Sequence, residues 1–269
     1  MRAVENDLRV SIIQADTRWH DAAGNQALYG ALIRAAPESD LIVLPETFLS
    51  GFSNAAVDQA QTMHEANVRW LCNLSNELDT VLCGSLLIQD QGRVFNRLIW
   101  AQPGLSPKFY DKRHLFRMAA EHERYGAGRE RLIVELNGWR ICPLVCYDLR
   151  FPVFSRNRFG SADQASRDYD VLIYVANWPA ARRYAWQTLL RARAIENLSY
   201  CVGVNRVGVD GNGLSYSGDS VILDFQGHAL LECGVQAQTV NVKLSLSDLQ
   251  AFRARFPAYL DADNFELSQ

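Results

Sequence analysis

The sequence predicts an α/β protein. Three observations carry that expectation: short apolar runs of strand length alternate with longer stretches of helical apolar spacing, two of the runs are apolar throughout, and both of those end abruptly in a turn containing proline. Residues 8–15 alternate apolar and polar side chains and give the first strand. Residues 25–36 carry Ala27, Leu28, Ala31, Leu32 and Ala35 at helical spacing, and Pro37 stops the helix. Leu41, Ile42, Val43 and Leu44 form a short strand covered on both faces, which runs into Pro45 and Glu46. A helix is expected over 58–77 and a strand over 80–88, and the turn at Gln91 and Gly92 leads to a strand closing near Trp100. Residues 132–136 and 141–145 flank Asn137 and Gly138, the pair that a tight primed hairpin turn demands. The second strand of that hairpin ends on Cys146, and the segment through Arg156 has the length to open a short helix. A strand over 169–175, a helix over 180–197, a strand over 200–207, a hairpin over 220–233 around Gln226 and Gly227, and a strand over 238–244 complete the pattern. No linker rich in Gly, Pro or Ser interrupts it, so one domain over 1–269 is expected. The tail 247–269 begins amphipathic, through Leu249, Phe252 and Phe256, and is expected to dock on its own core or on a neighbouring subunit.

Composition narrows the function. A chain of 269 residues, 48% hydrophobic and 21% charged, has the make-up of a soluble protein with one large core. A net charge of −3 leaves no basic footprint for nucleic acid. No apolar segment follows the charged start, and no run of about 18 apolar residues occurs, so neither a secretory signal nor a membrane span is expected and the location is taken as cytoplasmic. The six Cys show no short paired spacing and the five His are dispersed, which argues for reduced thiols and against zinc or thioredoxin chemistry. Only Lys108, Lys112 and Lys243 break an otherwise all-Arg basic set.

Cys146 differs from the other five cysteines in its setting. A thiol at a strand terminus, followed by backbone N–H groups turning into a helix, is where a nucleophile gains an oxyanion site and a lowered pKa. The expectation is the nucleophile of an amide hydrolase, with Cys72, Cys83, Cys142, Cys201 and Cys233 left as small core residues.

Two further charged residues stand out, Glu46 at its strand end and Lys112 in the segment Tyr110-Asp111-Lys112-Arg113-His114-Leu115-Phe116. In this order Glu46, Lys112 and Cys146 resemble the Glu-Lys-Cys triad of the nitrilase, or carbon–nitrogen hydrolase, superfamily. The likeness extends to Leu44-Pro45-Glu46-Thr47-Phe48, Cys146-Tyr147-Asp148-Leu149-Arg150-Phe151-Pro152, Ala176-Asn177-Trp178-Pro179 and Arg191-Ala192-Arg193-Ala194-Ile195-Glu196-Asn197, and so covers nearly the whole chain. It implies a four-layer αββα sandwich, assembled through outer helices into homodimers or larger homo-oligomers, with no metal or cofactor and a small-molecule amide as substrate. It also implies roles: Glu46 takes the proton of Cys146 and later gives it to departing ammonia, and a thioester forms and is hydrolysed. Lys112 and the backbone N–H of Tyr147 hold the oxyanion. The apolar flank of Leu44, Pro45 and Phe48 keeps water from such a base. In the family a second Glu precedes a Gly in the loop after the Lys; Glu121 matches by its spacing to Gly128, and Glu123 does not.

Segments 117–122, 217–220 and 256–263 are similar to the bacterial omega-amidase branch, whose substrates are the terminal amides of 2-oxoglutaramate and 2-oxosuccinamate. A distal carboxylate needs a cation, and Arg150, with the indole of Trp178 beside it, is the candidate. A carbamoyl-amino-acid hydrolase, a deaminated glutathione amidase or a nitrilase stays open, since the triad serves all of them. A regulatory protein that has lost the chemistry, or a redox sensor through Cys146, is the rival from another class, and the intact triad argues against both. Arg182, Arg183, Arg191 and Arg193 are expected on a solvated or oligomer-facing helix side, and His114 and His122 as structural.

Overall fold

Along β1 (Asp7–Gln14) both faces are buried, with Leu8, Val10 and Ile12 on one and Ser11 and Ile13 on the other. A strand of that kind needs cover on both sides. In the computed structural model, which describes residues 7–158, 168–263 and 265–267, that cover is a second sheet on one side and helices on the other. The strands that follow β1 are β2 (Leu41–Val43), β3 (Val81–Asp90), β4 (Arg93–Ala101), β5 (Lys108–Asp111), β6 (Val134–Leu136) and β7 (Trp139–Val145). Then come β8 (Val171–Ala176), β9 (Tyr200–Asn205), β10 (Val207–Val209), β11 (Ser215–Ser217), β12 (Val221–Leu223), β13 (Ala229–Glu232) and β14 (Gln238–Ser245). The helices are α1 (Ala22–Arg34), α2 (Ala66–Leu78), α3 (Glu121–Arg124), α4 (Pro152–Ser155), α5 (Arg183–Asn197) and α6 (Leu246–Arg255).

Two six-stranded sheets form, in the orders β14-β1-β2-β3-β4-β5 and β13-β12-β9-β8-β7-β6. Each has three parallel strands at its heart, β1-β2-β3 and β7-β8-β9, with antiparallel strands outside them. Leu8, Val10, Val43 and Cys83 of the first sheet share one core with Leu144, Ile173 and Val202 of the second. On the far side of the first sheet, Tyr29 and Ile33 of α1 and Val68, Leu71 and Leu74 of α2 pack on Ile13, Ile42 and Leu82. α5 covers the second sheet with Trp186, Leu190 and Ala194, and approaches so closely at Gly203 that a Cβ there would lie 2.4 Å from Leu190 Cδ1. The result is the αββα sandwich that the resemblance implied.

The primed turn is present, with φ of 49° at Asn137 and 82° at Gly138. The expected helix over 58–77 is not continuous. A 3-10 turn occupies Ala55–Gln59, and α2 starts only at Ala66. The break has a cause: Gln61 bridges to β3, its N–H donating to Leu87 O and its carbonyl accepting from Gln89 N, while its side chain accepts from Asn67 N. Three short elements, β5 and the β10–β11 pair, were not expected, because runs of three or four residues, broken by Lys, Asp and Ser in β5 and β11 and by Gly in β10, are too short to show an apolar period. No helix among the described residues is long and apolar enough to cross a membrane.

The segment after 246 packs on its own chain through α6. Arg253 is fully buried, donates from NH1 to Asp170 Oδ1 at 2.6 Å, and reaches the carbonyls of Leu198 and Tyr169. Arg253→Ala leaves these acceptors without that guanidinium, and a loss of about 3–5 kcal/mol is expected. The measurement is urea unfolding, with a lower midpoint at unchanged slope.

Candidate active site

The carboxyl ends of the central parallel strands from both sheets meet in one place. β2 leads into Glu46, β7 into Cys146 and β8 into Asn177. At two of these ends the backbone is left-handed at a non-glycine residue, with φ of 41° at Thr47 and 47° at Cys146. Such conformations cost about 1–3 kcal/mol each and persist only where the surroundings enforce them.

For Cys146 the enforcing group is Asp148, fully buried within the 3-10 turn Cys146–Arg150. Its Oδ2 accepts from Val145 N at 3.0 Å and from the Tyr110 hydroxyl at 2.7 Å; its Oδ1 accepts from His114 N at 3.0 Å and lies 2.7 Å from His114 Nδ1. One carboxylate thus ties the turn that aims the thiol to the segment that carries Lys112. The His114 ring also stacks on Phe151, with centroids 3.9 Å apart, and its place is structural. Arg193 was expected on a solvated or oligomer-facing side and is instead buried. It donates from NH2 to Leu149 O at 2.6 Å and holds the same turn against α5.

Glu46 is fully buried and surrounded by donors. Oε1 accepts from Asn96 Nδ2 at 2.7 Å and Lys112 Nζ at 3.0 Å, Oε2 accepts from Asn177 N at 2.7 Å, and the main-chain carbonyl of Glu46 accepts from Asn177 Nδ2 at 2.7 Å. Lys112, 1% exposed, also meets both oxygens of buried Glu121 at 3.0 Å, and its ammonium stands 5.1 Å from the centre of the Phe52 ring. Glu123 points to solvent. Burial alone would lower the pKa of Lys112, but Glu121 and Glu46 outweigh it and hold the ammonium well above its ordinary pKa. Burial also raises the Glu121 carboxyl, and the nearby Glu46 adds to the rise against the pull of Lys112.

The thiol departs from expectation. Instead of a lowered pKa, Cys146 sits well above the ordinary thiol range: burial is the largest cause, the Glu46 carboxylate adds to it, and Lys112 only partly opposes them. Lys112 already faces two carboxylates, and so offsets only part of the rise.

Glu46, Lys112 and Cys146 floor a cavity of about 70 Å³, where one water needs about 10–15 Å³, and Glu121 lies behind Lys112. It suits a small metabolite. Phe52, Phe116, Trp178, Leu214 and Tyr216 form apolar walls, and Arg150 and Arg182 stand at the exposed end. Tyr147 lines the cavity with its ring edge-on to Phe116 and Phe151, and its N–H lies in the first turn of a helix, where no intrahelical acceptor exists. Trp178 is buried, donates from Nε1 to Arg182 O at 2.9 Å and carries Arg150 over its ring. The sequence reading gave Asn96 and Asp148 no role, although Asp148 lies in the quoted Cys146–Pro152 segment and Asn96 is an amide inside an apolar strand. Arg182, expected on a solvated or oligomer-facing helix side, lines the cavity instead.

The carbon-nitrogen hydrolase family profile matches residues 9–254. The chain belongs to that family. A carbon-nitrogen hydrolase is an amide-hydrolysing enzyme, and the relatives agree. The omega-amidase YafV of Yersinia enterocolitica is 48% identical over 262 residues, covering 97% of this chain and 98% of that one. The 2-oxoglutaramate amidase of Bacillus subtilis is 30% identical over 231 residues, covering 85% and 86%. Among solved structures, the CN-hydrolase superfamily protein XC1258 of Xanthomonas campestris, which bears an arsenic adduct in its active site, superposes with a TM-score of 0.95 at 55% identity, covering 97% of this chain and 99% of that one.

Two outcomes are expected of this hydrolase. Alkylation of Cys146 by iodoacetamide, followed by mass spectrometry, should still be accelerating at a pH of about 8.5, where an ordinary thiol is half ionised. A raised pKa means less thiolate at every pH below it, so a plateau near that point contradicts the burial argument. Asp148→Asn places N–H against N–H at Val145 or His114 and should lower turnover on the order of 100-fold by misaiming the thiol, with the far-UV circular dichroism unchanged.

Proposed function

We propose that this enzyme hydrolyses the terminal amide of small omega-amido 2-oxo acids, 2-oxoglutaramate and 2-oxosuccinamate, to the dicarboxylate and ammonia. One observation carries the reading: a thiol, a carboxylate and a buried ammonium share the floor of a small cavity whose open end is cationic. The similarity to an omega-amidase and to a 2-oxoglutaramate amidase supports the substrate class.

In this reading Cys146 attacks the amide carbon as Glu46 removes its proton, in one step, because the thiol rests neutral. Glu46 then delivers that proton to the departing amine, which leaves as ammonia. A water enters, Glu46 takes its proton, and the thioester is cleaved to the carboxylate with the thiol restored. The oxyanion of both tetrahedral intermediates is held by the N–H of Tyr147 and by Lys112. The ammonium has three N–H donors and three carboxylate contacts, so one contact must yield. Glu121 engages two donors with one carboxylate and can release one without losing the pair. Glu121 therefore positions Lys112, and Asn96 positions Glu46. Arg150 and Trp178 bind the distal end of the substrate. We also propose a homodimer or larger assembly through the outer face of α5, where Tyr184 and Ile195 are exposed.

Ammonia release from the two oxo-acid amides is the test, beside glutamine, asparagine, a carbamoyl amino acid and a simple nitrile. Wild type should turn over the oxo-acid amides fastest. Cys146→Ala and Glu46→Gln should abolish release, and Lys112→Met should lower it by at least about 100-fold to 1000-fold. Turnover confined to other members of the panel would keep the mechanism and discard the substrate.

A further inference from the structure

Two guanidinium groups stand at the open end of the cavity, and among the described residues neither has a carboxylate within 4.0 Å. Arg150 lies 5.0 Å over the Trp178 ring and Arg182 lies 5.1 Å over the Phe116 ring, so each stacks on a different wall. Stacking fixes the plane of a guanidinium and leaves its N–H edge free for a ligand. The other arginines of this segment are committed elsewhere: Arg183 pairs with Asp219 at 2.7 Å, Arg191 with Glu232, and Arg193 with Glu196 at 2.9 Å. The main chain of Arg182 is anchored independently of its side chain, since its carbonyl accepts from Trp178 Nε1.

Charge gives the second arginine a task. With both carboxylates ionised, Glu46 and Glu121 outweigh Lys112 and leave the floor with an excess negative charge. An anionic substrate enters against that charge. Arg150 alone would neutralise it; Arg182 turns the entrance attractive.

We propose that Arg182 is a specificity-determining residue that, together with Arg150, grips the 2-oxo acid end of the substrate while its amide lies on Cys146. A carboxylate and the adjacent 2-oxo oxygen present acceptors only, and two planar donor forks complement them. The corresponding 2-amino acid carries an ammonium at the same carbon, a donor-only cation brought between two cations. The pair therefore admits 2-oxo acid amides and rejects glutamine and asparagine. This inference rests on the substrate reading given above and names the residue that enforces it.

The experiment is steady-state kinetics of the full-length protein on 2-oxoglutaramate, glutamine and butyramide, for wild type, R182Q and R182K, with thermal unfolding of each. In R182Q the KM for 2-oxoglutaramate should rise roughly 10-fold to 100-fold with kcat little changed, the loss of a hydrogen-bonded charge contact. The KM for butyramide, which has no carboxylate, should not follow, and the preference for 2-oxoglutaramate over glutamine should narrow. R182K should recover part of the loss, as a point charge without the fork. An unchanged KM for 2-oxoglutaramate in folded R182Q, or an equal rise for butyramide, overturns the proposal and leaves the substrate reading standing. A wild type that does not prefer 2-oxoglutaramate to butyramide overturns the substrate reading itself.

Discussion

The contact on which the site depends is the buried cluster of Lys112 with Glu46 and Glu121. Three charged groups lie where water does not reach, and moving a single ion into such a place costs several kcal/mol unless partners repay it. The repayment is geometric. Lys112 meets three carboxylate oxygens at 3.0 Å, Asn96 and the Asn177 amide complete Glu46, and the Phe116 amide donates to Glu121. Removing any one of the charges strands the others, so the cluster is held as a unit. Its three charges come from the end of β2, the end of β5 and α3, all on the first sheet's side; the Asn177 amide that completes Glu46 comes from the end of β8, so the cluster is finished only when the two sheets pack.

The same dry surroundings set the state of the nucleophile. Burial beside a carboxylate keeps the Cys146 thiol protonated, and a neutral thiol is a slow target for oxidants and stray electrophiles. The environment that disfavours a resting thiolate favours a well-placed oxyanion, because donors aimed at developing charge act more strongly where the effective dielectric is low. On the proposed mechanism, reactivity is thereby deferred until an amide occupies the cavity. Asp148 makes this possible by holding a backbone conformation that cysteine would not adopt unaided.

Much of the fold was legible because the apolar period is strong. The buried strands at 41–43, 139–145 and 171–176 and the Asn137-Gly138 turn all announce themselves in the sequence. What escaped depends on contacts distant along the chain. The split before α2 arises from a bridge between Gln61 and β3, and no local pattern encodes it. The site follows the same rule. Glu46, Lys112, Glu121 and Cys146 carry a recognisable order and spacing, and the structure brings all four together. Asn96, 50 residues from Glu46, and Asp148, 34 from His114, act through hydrogen bonds that exist only after folding. Arg193 was misassigned because a run of arginines on a helix suggests a wet face, whereas along α5 Arg183 pairs with Asp219, Arg191 with Glu232, and Arg193 reaches inward to the carbonyl of Leu149 beside Cys146.

The division of labour between the sheets carries a further consequence. Glu46 and Lys112 belong to the first sheet's connections and Cys146 to the second, so the distance between carboxylate and thiol is fixed by how the two sheets pack. Cores tolerate changes of a methylene or two at modest cost in stability, because the apolar area still buries. Reaction geometry is less forgiving, since a displacement of about 1 Å can cost on the order of 100-fold in rate. Residues such as Val10, Val43 and Leu144 lie in the core between the sheets, and their packing sets the separation of the Cys146 thiol from the Glu46 carboxylate. On the proposed mechanism, the hydrophobic core between the sheets is therefore part of the catalytic apparatus, and its packing bears on rate more tightly than on folding.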